Sequence, residues 1–120
     1  MESYQLGLQG EAIAEKHLKQ CGYRIREKNF HSQQGEIDLI AMDQAILAFI
    51  EVKYYSYRSF AIPAASVRKG KRDSIVHAAR FYLFKNNIKN INCRFDVLAI
   101  HTRPDGTKNI ELIKDAFKIN

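Results

Sequence analysis

The chain has 120 residues, 46% hydrophobic and 27% charged, and a net charge of +6 at neutral pH. That length suits a single domain over residues 1–120 that needs no disulfide staple, and the composition excludes a low-complexity or disordered chain. No apolar run approaches the roughly 18–20 residues of a membrane span, and the positive excess is compatible with nucleic acid or another polyanion without selecting one.

The N-terminus, "MESYQLGLQGEAIAEK", is polar and has no apolar signal core. Cys21 and Cys93 belong to no C-x-x-C pair and no zinc-type Cys/His cluster. The expectation is a cytoplasmic protein with two buried, reduced thiols.

Residues 4–21 read as a helix. Ala14, Leu18 and Cys21 fall at helical spacing, Lys16, Lys19 and Gln20 take the polar side, and Gly22 follows as a stop. Glu11 lies three and seven residues before Ala14 and Leu18, beside the apolar stripe. From spacing alone it is a boundary carboxylate that reaches solvent or Lys16.

Residues 23–30, "YRIREKNF", read as extended. "EIDLIAM" and "AILAFIEVKY" are two apolar runs around Asp43-Gln44, the pattern of a β-hairpin. Side chains alternate faces along a strand, so Glu36, Asp38 and Ile40 share one face of the first strand and Leu47, Phe49, Glu51 and Lys53 one face of the second. A two-residue loop at Asp43-Gln44 pairs Ile40 with Leu47, Asp38 with Phe49 and Glu36 with Glu51. Asp38 and Glu51 are then diagonal neighbours, about 7–8 Å apart at Cα. Two partly desolvated carboxylates repel and need a partner. Lys53 alone would make a structural salt bridge. A divalent cation is the other candidate, because Mg²⁺ accepts one or two carboxylates plus waters and substrate phosphates.

Residues 54–61, "YYSYRSFA", form an aromatic and basic loop. Pro63 precedes a helix from about residue 64 to 86. Ile75, Ala78, Ala79 and Tyr82 in its second half keep the spacing of a packed face. Its first half carries Arg68, Lys69, Lys71 and Arg72, which the helix dipole disfavours at that end. A phosphate would reverse the penalty; a solvated basic face is the plainer reading. "RFDVLAIH" and "NIELIK" complete the strands around the turn at Pro104-Asp105-Gly106. Asp96 faces away from Phe95 and Val97 and suits a structural pair with a basic side chain.

An Asp followed thirteen residues later by Glu-x-Lys, on adjacent strands with a helical Glu upstream, resembles the PD-(D/E)xK nuclease superfamily. "GLQGEAIAEKHL", "GEIDLIA", "FIEVK", "VRKGKRDSIVHAARFYL", "RFDVLAI" and "IELIKDAF" occur in the order of the YraN-like family, similar to Holliday-junction resolvases. The resemblance implies an α/β restriction-endonuclease-like fold, a mixed sheet of four to five strands flanked by helices. It implies a metal-dependent DNA endonuclease, acting on branched or unusual DNA. Asp38, Glu51 and the Val52 carbonyl would hold Mg²⁺ or Mn²⁺, with Glu11 on a second metal or its waters. Lys53 would orient and help deprotonate the attacking water, and Glu36 would support the site from outside. Tyr55, Tyr57, Arg58, Arg68, Lys69, Lys71 and Arg72 would contact nucleic acid. Lys69 stands where related nucleases place a further active-site or DNA-contacting residue. A homodimer follows by analogy with resolvases. The chain departs from the superfamily at Ile37, where the namesake Pro would stand. Two other readings of the same residues are a nucleic-acid-binding module with little turnover and a protein-interaction domain with a structural polar cluster.

Overall fold

The computed structural model describes residues 2–57 and 67–118, with side chains from Gln9 onward. Helix α1 (Glu2–Gln20) leads into strands β1 (Arg24–Ser32), β2 (Gly35–Asp43) and β3 (Ile46–Tyr55). Helix α2 (Lys69–Lys85) follows, then β4 (Asn92–Thr102) and β5 (Lys108–Phe117). The five strands form one mixed sheet in the order β1-β2-β3-β4-β5. Only β3 and β4 run parallel, joined by the crossover that contains α2.

Alternation along the strands divides the core between the two faces of the sheet. Ile40, Leu47, Phe49 and Val97 turn toward α2 and meet Ile75, Ala78, Ala79 and Tyr82. Leu39, Ala41, Ala48, Ile50 and Leu98 turn the other way and meet Ala14 and Leu18 of α1. Phe49 lies edge-on to Tyr82 at 6.1 Å and stacks on Phe95 at 5.6 Å. This is an α/β layer architecture consistent with a restriction-endonuclease-like fold. No helix among the described residues is long and apolar enough to cross a membrane.

Gly22 stops α1, with φ +89. Its N–H donates to the Lys19 carbonyl and the Tyr23 N–H to the Leu18 carbonyl, which satisfies two orphan acceptors of the last turn. Asn87, with φ +52, does the same after α2.

Three details differ from the sequence reading. The described part of α2 begins at Lys69, and residues 58–66, with Arg58 and Pro63, lie outside the described residues. Cys21 and Cys93 are free thiols but exposed, not buried. The chain turns away at Gly22 before Cys21 can extend the apolar stripe, and Cys93 stands at the open beginning of β4. The hairpin loop is Gln44-Ala45 rather than Asp43-Gln44. Asp43 still pairs with Ile46, Met42 with Leu47, Ile40 with Phe49 and Leu39 with Ile50. Asp43 is drawn into the ladder because its carboxylate takes Arg94 and Lys114 at 2.8 and 3.1 Å. Gln44 takes the positive φ of 54 that the tight loop needs. The register therefore moves by two residues, and the last paired rung, Leu39↔Ile50, leaves Asp38 and Glu51 as the next residues on the two strands.

A candidate metal and phosphodiester site at a split in the sheet

The β2–β3 ladder ends at Leu39↔Ile50, although β1 stays paired with β2 to Ser32↔Gly35 and β4 with β3 to Tyr55↔His101. Beyond Leu39 the two central strands part. The rung at which they part is irregular on both sides. Ile37 joins the α2-side core while Leu39 joins the α1-side core, so alternation breaks at Asp38. The shared face expected for Glu36, Asp38 and Ile40 is lost there. On β1 the residue between Lys28↔Leu39 and Phe30↔Ile37 is Asn29, whose φ is +52. Asn tolerates that left-handed conformation better than most residues. Such breaks re-aim side chains and cluster beside functional sites.

The split leaves backbone groups to be satisfied. The Val52 N–H donates to Asp38 Oδ2 at 2.8 Å, so a side chain replaces the missing rung. Beyond the last rung on β3, the Glu51 side chain is 8% exposed. Its Oε1 has Lys53 Nζ at 3.6 Å and Lys71 Nζ at 3.8 Å. These are ion pairs rather than hydrogen bonds. Lys53 arrives from the same face of β3, and Lys71 from the first turn of α2.

Burial pushes the Glu51 carboxyl up to about 7, and the Asp38 charge adds to the rise against the pull of Lys71 and Lys53. Burial also raises Asp38, and Glu11 and Glu36 add to it. The bond from Val52 and the charge of Lys71 act in the other direction. Asp38 thus senses Lys71 of α2 and Glu11 of α1, one from each layer, which is what an opening between strands permits. A buried and a half-buried carboxylate, both with raised affinity for protons, would also suit a small, hard cation.

Gly35 explains how α2 comes so close. A Cβ there would stand 2.6 Å from the Ser74 carbonyl oxygen and 2.9 Å from its carbon. Only hydrogen fits between the start of β2 and the α2 backbone. Gly35→Ala is expected to push α2 aside and destabilise the fold by about 1–3 kcal/mol, the usual cost of overpacking. Denaturant melts would measure it. A variant as stable as the parent would show that this close approach constrains nothing.

The other site residues are placed as follows. Glu11 lies on the α1 face beside Asp38, and Asn29 Nδ2 donates to its Oε2 at 3.1 Å. Among the described residues, no group of three or more His, Cys, Asp or Glu side chains converges as a metal cage. Glu11 is therefore a neighbour of the Asp38–Glu51 pair and not a third member of one cluster. Glu36 is exposed and bonds His31 Nδ1 across the β1–β2 ladder at 3.1 Å. Lys69 is exposed and pairs with Asp73. The residue that enters the site from α2 is Lys71, two positions on. Arg68 and Lys69 are exposed at the helix start, and Arg72 is half-buried. Tyr55 stacks on His101 at 5.1 Å, and Tyr57 is 51% exposed. Sequence reading missed Asn29, and the only signal available was an Asn inside an otherwise regular strand.

The donors the resemblance implies, Asp38, Glu51 and the carbonyl of Val52, are all oxygen. With waters completing the shell, such a set fits Mg²⁺ or Mn²⁺ rather than zinc, which favours nitrogen and sulfur ligands.

Acids and lysines gather here at a split in a mixed α/β sheet of restriction-endonuclease-like layout. Residues 10–100 match the family described as "Uncharacterised protein family UPF0102". A UPF0102 protein of Clostridium perfringens is 41% identical over 115 residues, covering 95% of this chain and 94% of its own. Those of Syntrophus aciditrophicus and Saccharophagus degradans are 38% and 40% identical, covering 98% and 97% of this chain and 92% and 95% of theirs. The chain belongs to the UPF0102 family, the YraN-like group.

Proposed function

We propose that this protein is a metal-dependent endonuclease that hydrolyses phosphodiester bonds in DNA, with Mg²⁺ or Mn²⁺ held by Asp38, Glu51 and the Val52 carbonyl. The observation that carries this reading is the buried Glu51 beside the half-buried Asp38 at the strand split, flanked by two lysines from different elements. Both lysines turn to the same oxygen, Glu51 Oε1, whereas Asp38 is held by a backbone N–H. Here the ammonium groups stand beyond hydrogen-bond distance of Glu51, so their N–H donors can turn to a phosphate oxygen.

The bound metal would lower the pKa of its water and polarise the phosphate. The chain supplies the rest. Asp38 is oriented by the Val52 N–H. Lys53 orients the attacking water and stabilises the charge that develops on the phosphate oxygens. Lys71 adds a second compact positive charge from the opposite side. Water attacks phosphorus, the bond to the 3′-oxygen breaks, and that oxygen takes a proton. The products are a 5′-phosphate and a 3′-hydroxyl. Arg68, Lys69 and Arg72 contact flanking phosphates, where the α2 start favours negative charge. Paired cuts across a branched DNA would need a homodimer.

The test is cleavage of labelled duplex, single strand, flap and four-way junction with Mg²⁺, Mn²⁺ or EDTA, beside Glu51→Ala. The reading expects metal-dependent cutting by the parent and none by the variant. DNA binding without cutting would make the protein a binding module instead.

A further inference from the structure

The outer face of α2 is not used by the carboxylate site. His77, Arg80, Phe81 and Phe84 follow the i, i+3, i+4, i+7 rule, opposite the buried Ile75, Ala78, Ala79 and Tyr82. Phe84 is 84% exposed and Phe81 42%. Phe81 leans on the Phe30 ring at 6.1 Å, which holds it against the sheet. Phe84 has no such reason to face water.

The charge along this stretch of chain has one sign. Residues 74–95 contain no Asp or Glu, while Arg80, Lys85, Lys89 and Arg94 are cationic. Arg94 is taken by Asp43 and Asp96. Among the described residues His77 and Arg80 have no ion-pair partner. Two exposed rings on a face without a negative charge match a polyanion that also offers flat faces. Unpaired nucleobases on a phosphate backbone do both, since stacking is sequence-tolerant and the backbone answers the cations. A second copy of the chain fits less well. A twofold axis on this face would set Arg80 and His77 against their own images, and the acid of the same helix, Asp73, is already held by Lys69.

We infer that the His77–Arg80–Phe81–Phe84 face binds single-stranded nucleic acid, with Phe84 stacking on an unpaired base. From Lys71 to Phe84 the helix rises about 20 Å. A strand leaving the carboxylate site along α2 would reach Phe84 a few nucleotides away. The surface itself does not depend on the site cutting anything.

The experiment measures binding in EDTA, where hydrolysis cannot interfere. The full chain and Phe84→Ala are titrated against a labelled oligothymidylate of roughly a dozen nucleotides, an oligouridylate of equal length and a blunt duplex. Phe84→Ala is expected to lose about 5- to 100-fold in affinity for one or both single strands, with duplex affinity nearly unchanged. The single strand that loses more identifies the sugar preferred. Phe84→Trp should restore binding, and Arg80→Ala should lower the salt slope by about 0.7. Equal single-strand affinity of parent and Phe84→Ala overturns the inference. So does a dimer that Phe84→Ala converts to monomer, or binding to anionic vesicles that Phe84→Ala abolishes while oligonucleotide affinity stands. Cleavage assays on the same proteins judge the nuclease reading separately, because neither result requires the other.

Discussion

Glu51→Gln is expected to abolish metal-dependent cleavage and, at the same time, to make the protein more stable above neutral pH. The first effect follows from losing one of two carboxylates that would hold the cation. Metal stabilisation worth several kcal/mol corresponds to about 10²–10⁴ in rate. The second follows from burial. Glu51 binds its proton up to about pH 7 in the folded protein, against an ordinary 4.5. A folded pKa raised in this way means the folded state holds the proton more tightly than the unfolded state. Its contribution to stability is complete below pH 4.5 and is lost as pH rises through 7. Glutamine has no charge to bury, so it escapes that loss. The variant should equal the parent near pH 4 and exceed it at pH 8 by about 1–3 kcal/mol. Adding Mg²⁺ at pH 8 should raise the melting temperature of the parent and leave Glu51→Gln unmoved. Melting curves across pH, with and without Mg²⁺, check both statements. A stability difference that does not vary with pH would falsify the account of a buried, charge-disfavoured pair.

Arg94→Ala is expected to be the most destabilising single change away from the site. Arg94 Nε and Nη2 donate to Asp96 at 2.8 and 2.9 Å, and Nη2 also reaches Asp43 and the Tyr23 hydroxyl, both at 2.8 Å. Asp96 is completely buried. It accepts further bonds from the Tyr23 hydroxyl at 3.0 Å and the Asp115 N–H at 2.9 Å. This network ties the end of α1, the hairpin turn and the bulged end of β5 to one guanidinium. The carboxylates beside Arg94 raise its already high pKa, and burial with Asp96 raises that of Tyr23. Removing the arginine leaves an uncompensated buried charge, which costs about 3–5 kcal/mol. Adding Asp96→Asn to Arg94→Ala should recover part of that loss, because the stranded charge goes with it. Urea midpoints of the two single variants and the double variant would decide. Additive losses would show that the two residues do not act as a pair.

The Arg94–Asp96 pair was half legible. Alternation in "RFDVLAIH" sets Arg94 and Asp96 on the same face, so the acid's basic partner could be read two positions away. That Tyr23 and Asp43 join it, from 71 and 51 residues away in the chain, could not. The carboxylate site shows the same division. "FIEVK" and "GEID" mark their acids by interrupting apolar strands, and period-two alternation correctly sets Leu47, Phe49, Glu51 and Lys53 on one face. The register was misread because Asp43 looks like a turn residue in isolation. Its preference for a turn is weaker than two ion pairs to Arg94 and Lys114.

By itself the sequence determined the family, the α/β element order, the packed face of α2 and the residues with chemistry to offer. All of these rest on short-range periodicity and on residue type, which tertiary contacts leave intact. Only the tertiary structure decided that Asp38 and Glu51 flank a split between their strands, that Lys71 rather than Lys69 turns toward them, and that Asn29 holds Glu11. Each depends on where separate elements meet: a ladder that stops at Leu39, a glycine that admits the α2 backbone, and a left-handed residue on the neighbouring strand. A helix period says which side of α2 a lysine occupies, but the approach allowed by Gly35 determines what that side faces.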